Sequence, residues 1–363
     1  MVIRMIVYGL LLTLLAALAL IQTNKTEDNV GYRTGYRIGK RNDLALLISC
    51  FSIYLLMILK APLAGDYSRY AYNFLNSVDR TIKFYWDRKE DSGFYILTKM
   101  IGEINYSTVF YFAVTAAIIC ISLFFFIKRY ASNKRYAIYF YFTIGLFAFS
   151  LAGLRQALAM SICLFAYEAA KRRKIIPFLL IVGVAYLLHK SALFFLPVFF
   201  VGWVPWKAKY HLAVITAYGI IGLFFHRFYA LITNWMGYDY DIESTRNGGI
   251  FLLILLIIGF LGIVYRKKLL ERDQGNLFFL NMHFVVIMMW VFRMFTRTAE
   301  RPTFYYLYAS IILLDRILDL KMEGEEEKAR KIIVLSSIFF FGVFFLYRTI
   351  RDRNLIPYIS IFN

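Results

Sequence analysis

The sequence predicts an all-α protein, a polytopic integral membrane bundle of about twelve segments with short outer-face helices in the loop 61–107. Two observations predict it. Of the 363 residues 60% are hydrophobic, gathered into apolar runs of spanning length that short charged stretches separate. The formal charge of +19 comes from Lys and Arg in the short loops between those runs, as cytoplasmic anchoring requires. That bias accounts for the basic balance, so no nucleic-acid partner is expected. A single multi-pass domain over 1–363 is expected, with 61–107 as a loop inside it.

The first run, 2–21, lacks a small-residue cleavage site and leads into a basic loop, so it reads as a retained span. The loop Gly31 to Arg41 holds Arg33, Arg37, Lys40 and Arg41 and belongs in the cytoplasm. A second span, 44–60, ends at Lys60-Ala61-Pro62. The loop 61–107 then mixes charge with spaced apolar residues, as short helices lying on or dipping into a membrane surface do. Spans at 108–127 and 136–153 enclose the basic pairs Lys128-Arg129 and Lys134-Arg135.

The stretch Ser150 to Pro197 is the most informative. A span at 156–170 and the run after it flank Lys171-Arg172-Arg173-Lys174, a cluster kept in the cytoplasm. A hairpin there returns Arg155 and His189 to the opposite side, where ionisable residues at such depth are functional candidates. The run Ile175 to Val204 is interrupted only by His189-Lys190. One helix of about 30 residues would measure roughly 45 Å, against a hydrocarbon core of about 30 Å. Two segments meeting near His189 are therefore expected, followed by a small inner loop at 205–211.

Spans at 212–226, 250–265, 277–292, 303–318 and 332–347 complete the set. They leave 265–272 and 321–331 inside, and 227–249, 293–302, the tail and both termini outside. The acidic run Glu323 to Glu327 reads as a solvated loop. Cys50, Cys120 and Cys163 lie inside apolar runs, where a thiol behaves as a small hydrophobe, so neither a disulfide nor a metal site is expected.

The polar residues left on the outer side form three groups. Asp66 heads a segment with Tyr67, Tyr70, Tyr72 and Phe74. It reads as a solvated carboxylate or as a hydroxyl-orienting base, and the tyrosines as interface anchors or as aromatic faces for a sugar or isoprenoid. In RMFTRTAERP, a continuous helix would put Arg293, Arg297 and Arg301 on one stripe with Glu300 among them. Arginines outside run against the charge bias. They are either snorkelling side chains or, with Arg155, a clamp for phosphate. His189 is a core histidine or a proton acceptor at a helix break. No HExxH, paired CxxC, GxxxxGK or GxSxG pattern occurs, so metalloprotease, zinc, P-loop and serine-hydrolase chemistry has no motif support.

These residues resemble the EpsG family, the Wzy-like polymerases of bacterial exopolysaccharide and O-antigen. The similarity is ordered along nearly the whole chain. AGDYSRYAYNF is similar to the family's G-x-D-x-x-Y-x-x-F element and DSGFYILTKMIGEI to its acidic-glycine-tyrosine segment. GLRQALAMSICL is similar to its R-Q-x-x-A helix and AYLLHKSALFFLP to its H-x-S-A element, while ERPTFYYLY and LIPYISIFN complete the likeness. There are two departures. Lys60 stands where the family often has arginine, which weakens bidentate phosphate contact, and Gly65 where a small hydroxyl residue is frequent.

The resemblance implies an enzyme at the outer face of the bacterial cytoplasmic membrane. It would transfer a growing glycan from an undecaprenyl-diphosphate carrier to the next lipid-linked repeat unit. Donor and acceptor lipids, the bilayer and a chain-length regulator are the implied partners, and no cofactor or metal is needed. His189, Asp66 and Arg155 are then the catalytic candidates. Arg297, Arg301, Arg293, Glu300, Tyr67, Tyr70, Gln156 and Lys60 would bind diphosphate and glycan. Arginines can stabilise a departing diphosphate, and Asp66, His189 or Glu300 can accept the hydroxyl proton. The rivals are a flippase for the same lipid, another polyprenyl-carrier glycosyltransferase and a membrane O-acyltransferase. A flippase would show a cationic path across the bilayer rather than charge at one face.

Overall fold

The computed structural model describes residues 5–21, 40–63, 65–88, 90–236, 248–352 and 354–362. Residues 31–39 of the Gly31 to Arg41 loop and 237–247 of the polar segment 227–249 lie outside them. In chain order the helices are α1 (Ile6–Leu20), α2 (Lys40–Ile58), α3 (Gly65–Leu75), α4 (Ile82–Trp86), α5 (Ser92–Ile104), α6 (Thr108–Tyr130), α7 (Lys134–Ile144), α8 (Leu146–Ala152) and α9 (Leu154–Lys171). They continue as α10 (Ile175–Leu188), α11 (Val198–Val201), α12 (Ala208–Leu223), α13 (Phe225–Met236), α14 (Gly249–Val264), α15 (Arg266–Arg272), α16 (Asn276–Arg293), α17 (Glu300–Leu318) and α18 (Gly324–Thr349). Among the described residues there is no strand, only an isolated bridge between Lys60 and Ser360.

Among the described residues α6, α16 and α18 are long and apolar enough to cross a membrane, and the bent pairs α7–α8 and α14–α15 raise the number to five. Shorter apolar helices, α1, α2 and α10 among them, accompany these. The chain is a helical membrane protein. As expected, the loop 61–107 folds into short helices, α3 to α5.

The chain divides into two compact units. The first comprises Met1–Arg80, Leu97–Ala157 and Leu318–Asn363. Its centre is α7, where residues 137–144 are all buried and against which α1, α2, α6 and α18 pack. The expected span 136–153 is two helices bent by 48° at Gly145. Arg348 of α18 donates to the Ile144 carbonyl at 3.2 Å, satisfying an acceptor that the break leaves open. The acidic run is not a loop. Glu325, Glu326 and Glu327 form the first turn of α18, where carboxylates favour the positive helix end, and Glu327 pairs with Arg330.

The last described residues fold back into this unit. The Ala61 amide donates to the Ile359 carbonyl at 2.7 Å and the Ile361 amide to Leu59 at 3.0 Å. Tyr358 donates to the Leu56 carbonyl at 3.3 Å, and Tyr8 to Leu355 at 3.0 Å.

The second unit comprises Thr81–Ile96 and Leu158–Ile317. Its helical hairpin turns at the basic cluster. Arg173 takes a left-handed conformation, with φ 54°, while its amide bonds Ala170 at 3.0 Å and the Lys174 amide bonds Ala169 at 2.8 Å. That is a Schellman closure of α9, reached without the usual glycine. The helix α10 then ends at His189, whose backbone is extended, and a 3₁₀ turn Lys190–Phe195 leads through Pro197 to α11. The apolar run is thus broken where its length required. Within residues 265–272, expected on the inner side, Arg266–Arg272 form α15, bent 66° from α14.

Residues 303–317 of α17 are buried throughout. His283 of α16 ties two neighbours together, with Nε2 donating to the Leu255 carbonyl at 2.9 Å and Nδ1 accepting from Ser310 at 2.8 Å. At the other end of α17, buried Arg316 donates to Asp273 at 3.0 Å and to Asn276 at 2.5 Å, and lies 4.8 Å from the Phe279 ring centre.

Burial alone would raise the Asp273 carboxyl, but Arg316, the Gly275 amide and Lys171 hold it below its usual 3.8. A carboxylate depressed by folding stabilises above its unfolded value, and the gain is lost as pH falls through the folded one. Arg316→Ala is expected to cost about 1.5–3 kcal/mol, the worth of a charged hydrogen bond. In thermal melts of detergent-purified protein its deficit should shrink as pH falls below 3.8 toward the depressed folded value, through which Asp273 takes up its proton.

Candidate functional site

In the first unit, Asp66 opens the short helix α3. Its amide bonds Asn354 Oδ1 at 2.9 Å, so the returning C-terminal segment caps the helix that carries the carboxylate. Gly65 precedes it with φ +64°, and a Cβ there would lie 3.3 Å from Asn354 Cα. One turn along α3, Tyr70 is buried, and the Arg155 amide and guanidinium both hydrogen-bond its hydroxyl. Burial raises the Tyr70 hydroxyl above its usual 10.0, Arg155 pulls it down, and Asp66 raises it again. The first unit therefore gathers Asp66, Tyr70 and Arg155 around one phenol. Gln156, next to Arg155 on α9, is buried.

Two candidates of this unit are occupied by the fold. Tyr67 is 1% exposed, donates to the Met57 carbonyl at 2.8 Å and stacks on Phe112 with ring centres 3.8 Å apart. One ring face expected to meet a sugar is therefore used in packing. Lys60 is buried as well, donating to the Pro357 carbonyl at 3.3 Å beneath the Tyr358 ring. It tethers the C-terminal segment. Tyr72, by contrast, is exposed.

In the second unit, His189 Nδ1 lies 2.9 Å from Asp91 Oδ2, and the other oxygen, Oδ1, accepts the Lys190 amide at 3.1 Å. Both side chains are buried, 4% and 0% exposed. A buried polar pair at a helix break is costly unless both partners are bonded, as they are here. Asp91 itself is in the left-handed region, φ 46°, which Asp tolerates better than most residues. Two residues on, Gly93 lets this segment reach α10, since a Cβ there would sit 2.8 Å from Leu187 Cβ and its carbonyl oxygen. The acidic-glycine spacing of DSGFY thus has a physical reason.

The turn after His189 is held from α17. Ser191 Oγ and the Tyr305 hydroxyl are 2.9 Å apart, and Tyr306 donates to the Phe194 carbonyl at 2.5 Å. Tyr167 of α9 donates to the Tyr305 carbonyl at 2.8 Å. The HKSA and TFYY elements are therefore one hydrogen-bonded assembly.

The arginine stripe is not formed. The chain leaves the helix after Arg293, passes through a 3₁₀ turn Arg297–Ala299 and re-enters a helix at Glu300, so the three arginines share no continuous face. Arg293 is buried and donates from Nε to Glu300 Oε2 at 2.9 Å. The two expected diphosphate ligands thus pair with each other in this structure. Arg301 is half-buried in the first turn of α17, and the side chain of Arg297 lies outside the described residues. Among the described residues no group of three or more His, Cys, Asp and Glu side chains could hold a metal ion.

Asp91 is the residue that reading the sequence missed. It lies 98 positions from His189, and no spacing links the two. The available signal was an acid directly before Ser-Gly at the start of an amphipathic helix. The model of the EpsG family matches residues 43–360. The chain belongs to the EpsG family. This family is one of Wzy-like polymerases, so membership brings polysaccharide polymerase activity in a membrane, acting on lipid-linked oligosaccharides. No curated protein and no solved structure matches the chain. The match of this EpsG-family chain runs through both clusters, Asp66–Tyr70–Arg155 and Asp91–His189.

Proposed function

We propose that this protein joins undecaprenyl-diphosphate-linked oligosaccharide repeat units at the outer face of the bacterial cytoplasmic membrane. In this reading the acceptor sugar hydroxyl attacks the anomeric carbon of the donor glycan. The bond from that carbon to the diphosphate breaks, and its electron pair leaves with the undecaprenyl diphosphate. The hydroxyl proton passes to His189, with Asp66 orienting the sugar. Arg155, Arg297 and Arg301 stabilise the charge that develops on the diphosphate, as fixed guanidinium donors can without reorganising. About twelve membrane segments forming one multi-pass domain would carry these groups, and a chain-length regulator would act beside them.

The observation that carries the reading is the family match across residues 43–360. The buried His189–Asp91 pair supports a proton acceptor, and the Arg155–Tyr70 contact supports an ordered guanidinium. The bond energy sits in the lipid diphosphate, so no nucleotide is required.

Purified protein given lipid-linked repeat units in detergent is expected to produce a ladder of longer glycans without ATP or added metal. A flippase has no chemistry to perform there. A requirement for a divalent metal would favour another polyprenyl-carrier transferase. Unchanged substrate, where a control polymerase works, would overturn the reading.

A further inference from the structure

We propose that Asp91 is a positioning residue for this transfer, holding His189 in the tautomer whose lone pair lies on Nε2 so that this nitrogen accepts the proton. The chemistry rests on the polymerase reading, but the state of the ring is a separate and measurable fact.

An ionised Asp only accepts hydrogen bonds, so the 2.9 Å contact from Oδ2 puts the ring hydrogen on Nδ1. The Lys190 amide at 3.1 Å holds Oδ1 and stops the carboxylate from turning away. Gly93 permits the close approach of this segment to α10 that brings the acid to the helix break. An amide side chain could bridge the ring and the Lys190 amide without burying a charge, so the carboxylate costs more than the fold alone requires. What it adds is control of the ring, since the partner of one nitrogen decides which one carries the proton.

His283 gives an internal contrast. Its Nε2 faces the Leu255 carbonyl at 2.9 Å, and a carbonyl can only accept, so the hydrogen is on Nε2 and the lone pair on Nδ1. His189 and His283 are therefore held in opposite tautomers. During the transfer, the acceptor hydroxyl proton moves to His189 Nε2 as its oxygen bonds the anomeric carbon. Asp91 remains ionised beside the imidazolium that results. The imidazolium then gives the proton to the departing diphosphate or to water.

The test uses the full chain, labelled with ¹⁵N-histidine and purified in detergent, with chain extension measured on the same sample. The His189 signals are assigned by their disappearance in His189→Gln. At neutral pH the wild type is expected to show His189 protonated on Nδ1 and bare on Nε2, with His283 the reverse. In Asp91→Asn the amide can donate to Nδ1, so the His189 pattern should invert. Extension should fall roughly 100- to 10,000-fold, the usual worth of a general base. Asn also tolerates the left-handed backbone at this position, so the fold has no backbone reason to fail. Asp91→Glu keeps the carboxylate and is expected to recover part of the rate, which a purely steric role would not give.

A wild-type His189 carrying its hydrogen on Nε2, or on both nitrogens, overturns the proposal without any variant. Inversion in Asp91→Asn with extension unchanged overturns the positioning role. The expected tautomers in a wild type that extends nothing overturn the polymerase reading and the catalytic half of the proposal, while upholding the ring assignment.

Discussion

His189→Gln is expected to lower chain extension by roughly 100- to 10,000-fold while the protein stays in the membrane. The glutamine amide can still donate toward Asp91, so the buried carboxylate keeps a partner and the turn Lys190–Phe195 keeps its bonds to Tyr305 and Tyr306. What is lost is a nitrogen able to take a proton near neutral pH. Arg155→Ala should cost about 100- to 1,000-fold, as removal of one donor to a developing oxyanion does. Arg155→Lys should rescue it poorly, because an ammonium cannot both fork onto phosphate and reach the Tyr70 hydroxyl. Rates are read as glycan ladders per unit of protein retained in the membrane. Near-normal ladders from both His189→Gln and Arg155→Ala would sink the assignment of either residue to the chemistry.

The second large effect is expected at Gly65. A left-handed backbone costs an alanine about 1–2 kcal/mol, and its Cβ would lie 3.3 Å from Asn354 Cα and closer still to the amide end of that side chain. Asn354 would have to rotate away and give up the Asp66 amide, a cap worth about 0.5–2 kcal/mol. Gly65→Ala should therefore destabilise the first unit by about 1.5–4 kcal/mol. It should also reduce extension, because Asp66 moves with the helix end. Asn354→Ala alone should cost only the cap. The double variant Gly65→Ala, Asn354→Ala should be less damaged than the sum, since the collision is then gone. Additive losses in thermal melts would show that the two residues do not act through this contact.

Much of this was legible in the sequence, and the reasons differ by residue. The break at His189 followed from arithmetic, because no single helix of that length fits a bilayer. The basic turn at 171–174 and the short helices α3 to α5 followed from charge and apolar spacing. The pair Asp91–His189 did not, since a contact across 98 positions leaves no periodic trace. The arginine stripe failed because helix periodicity was carried across Met294 to Ala299, where the chain is not α-helical. Tyr67 looked available because it sits in a polar loop and Lys60 because it ends a span, and only tertiary packing shows that both are buried with backbone carbonyls as partners.

The order of synthesis gives the C-terminal segment a second meaning. Lys60 and Pro357 are 297 positions apart, an interval that a ribosome covers in about 15–60 s. Throughout that time the ammonium of Lys60 lacks the carbonyl that receives it, and the start of α3 lacks Asn354. A chain that stalls before residue 354 carries the sequence of every helix but not the Asn354 side chain that accepts the Asp66 amide.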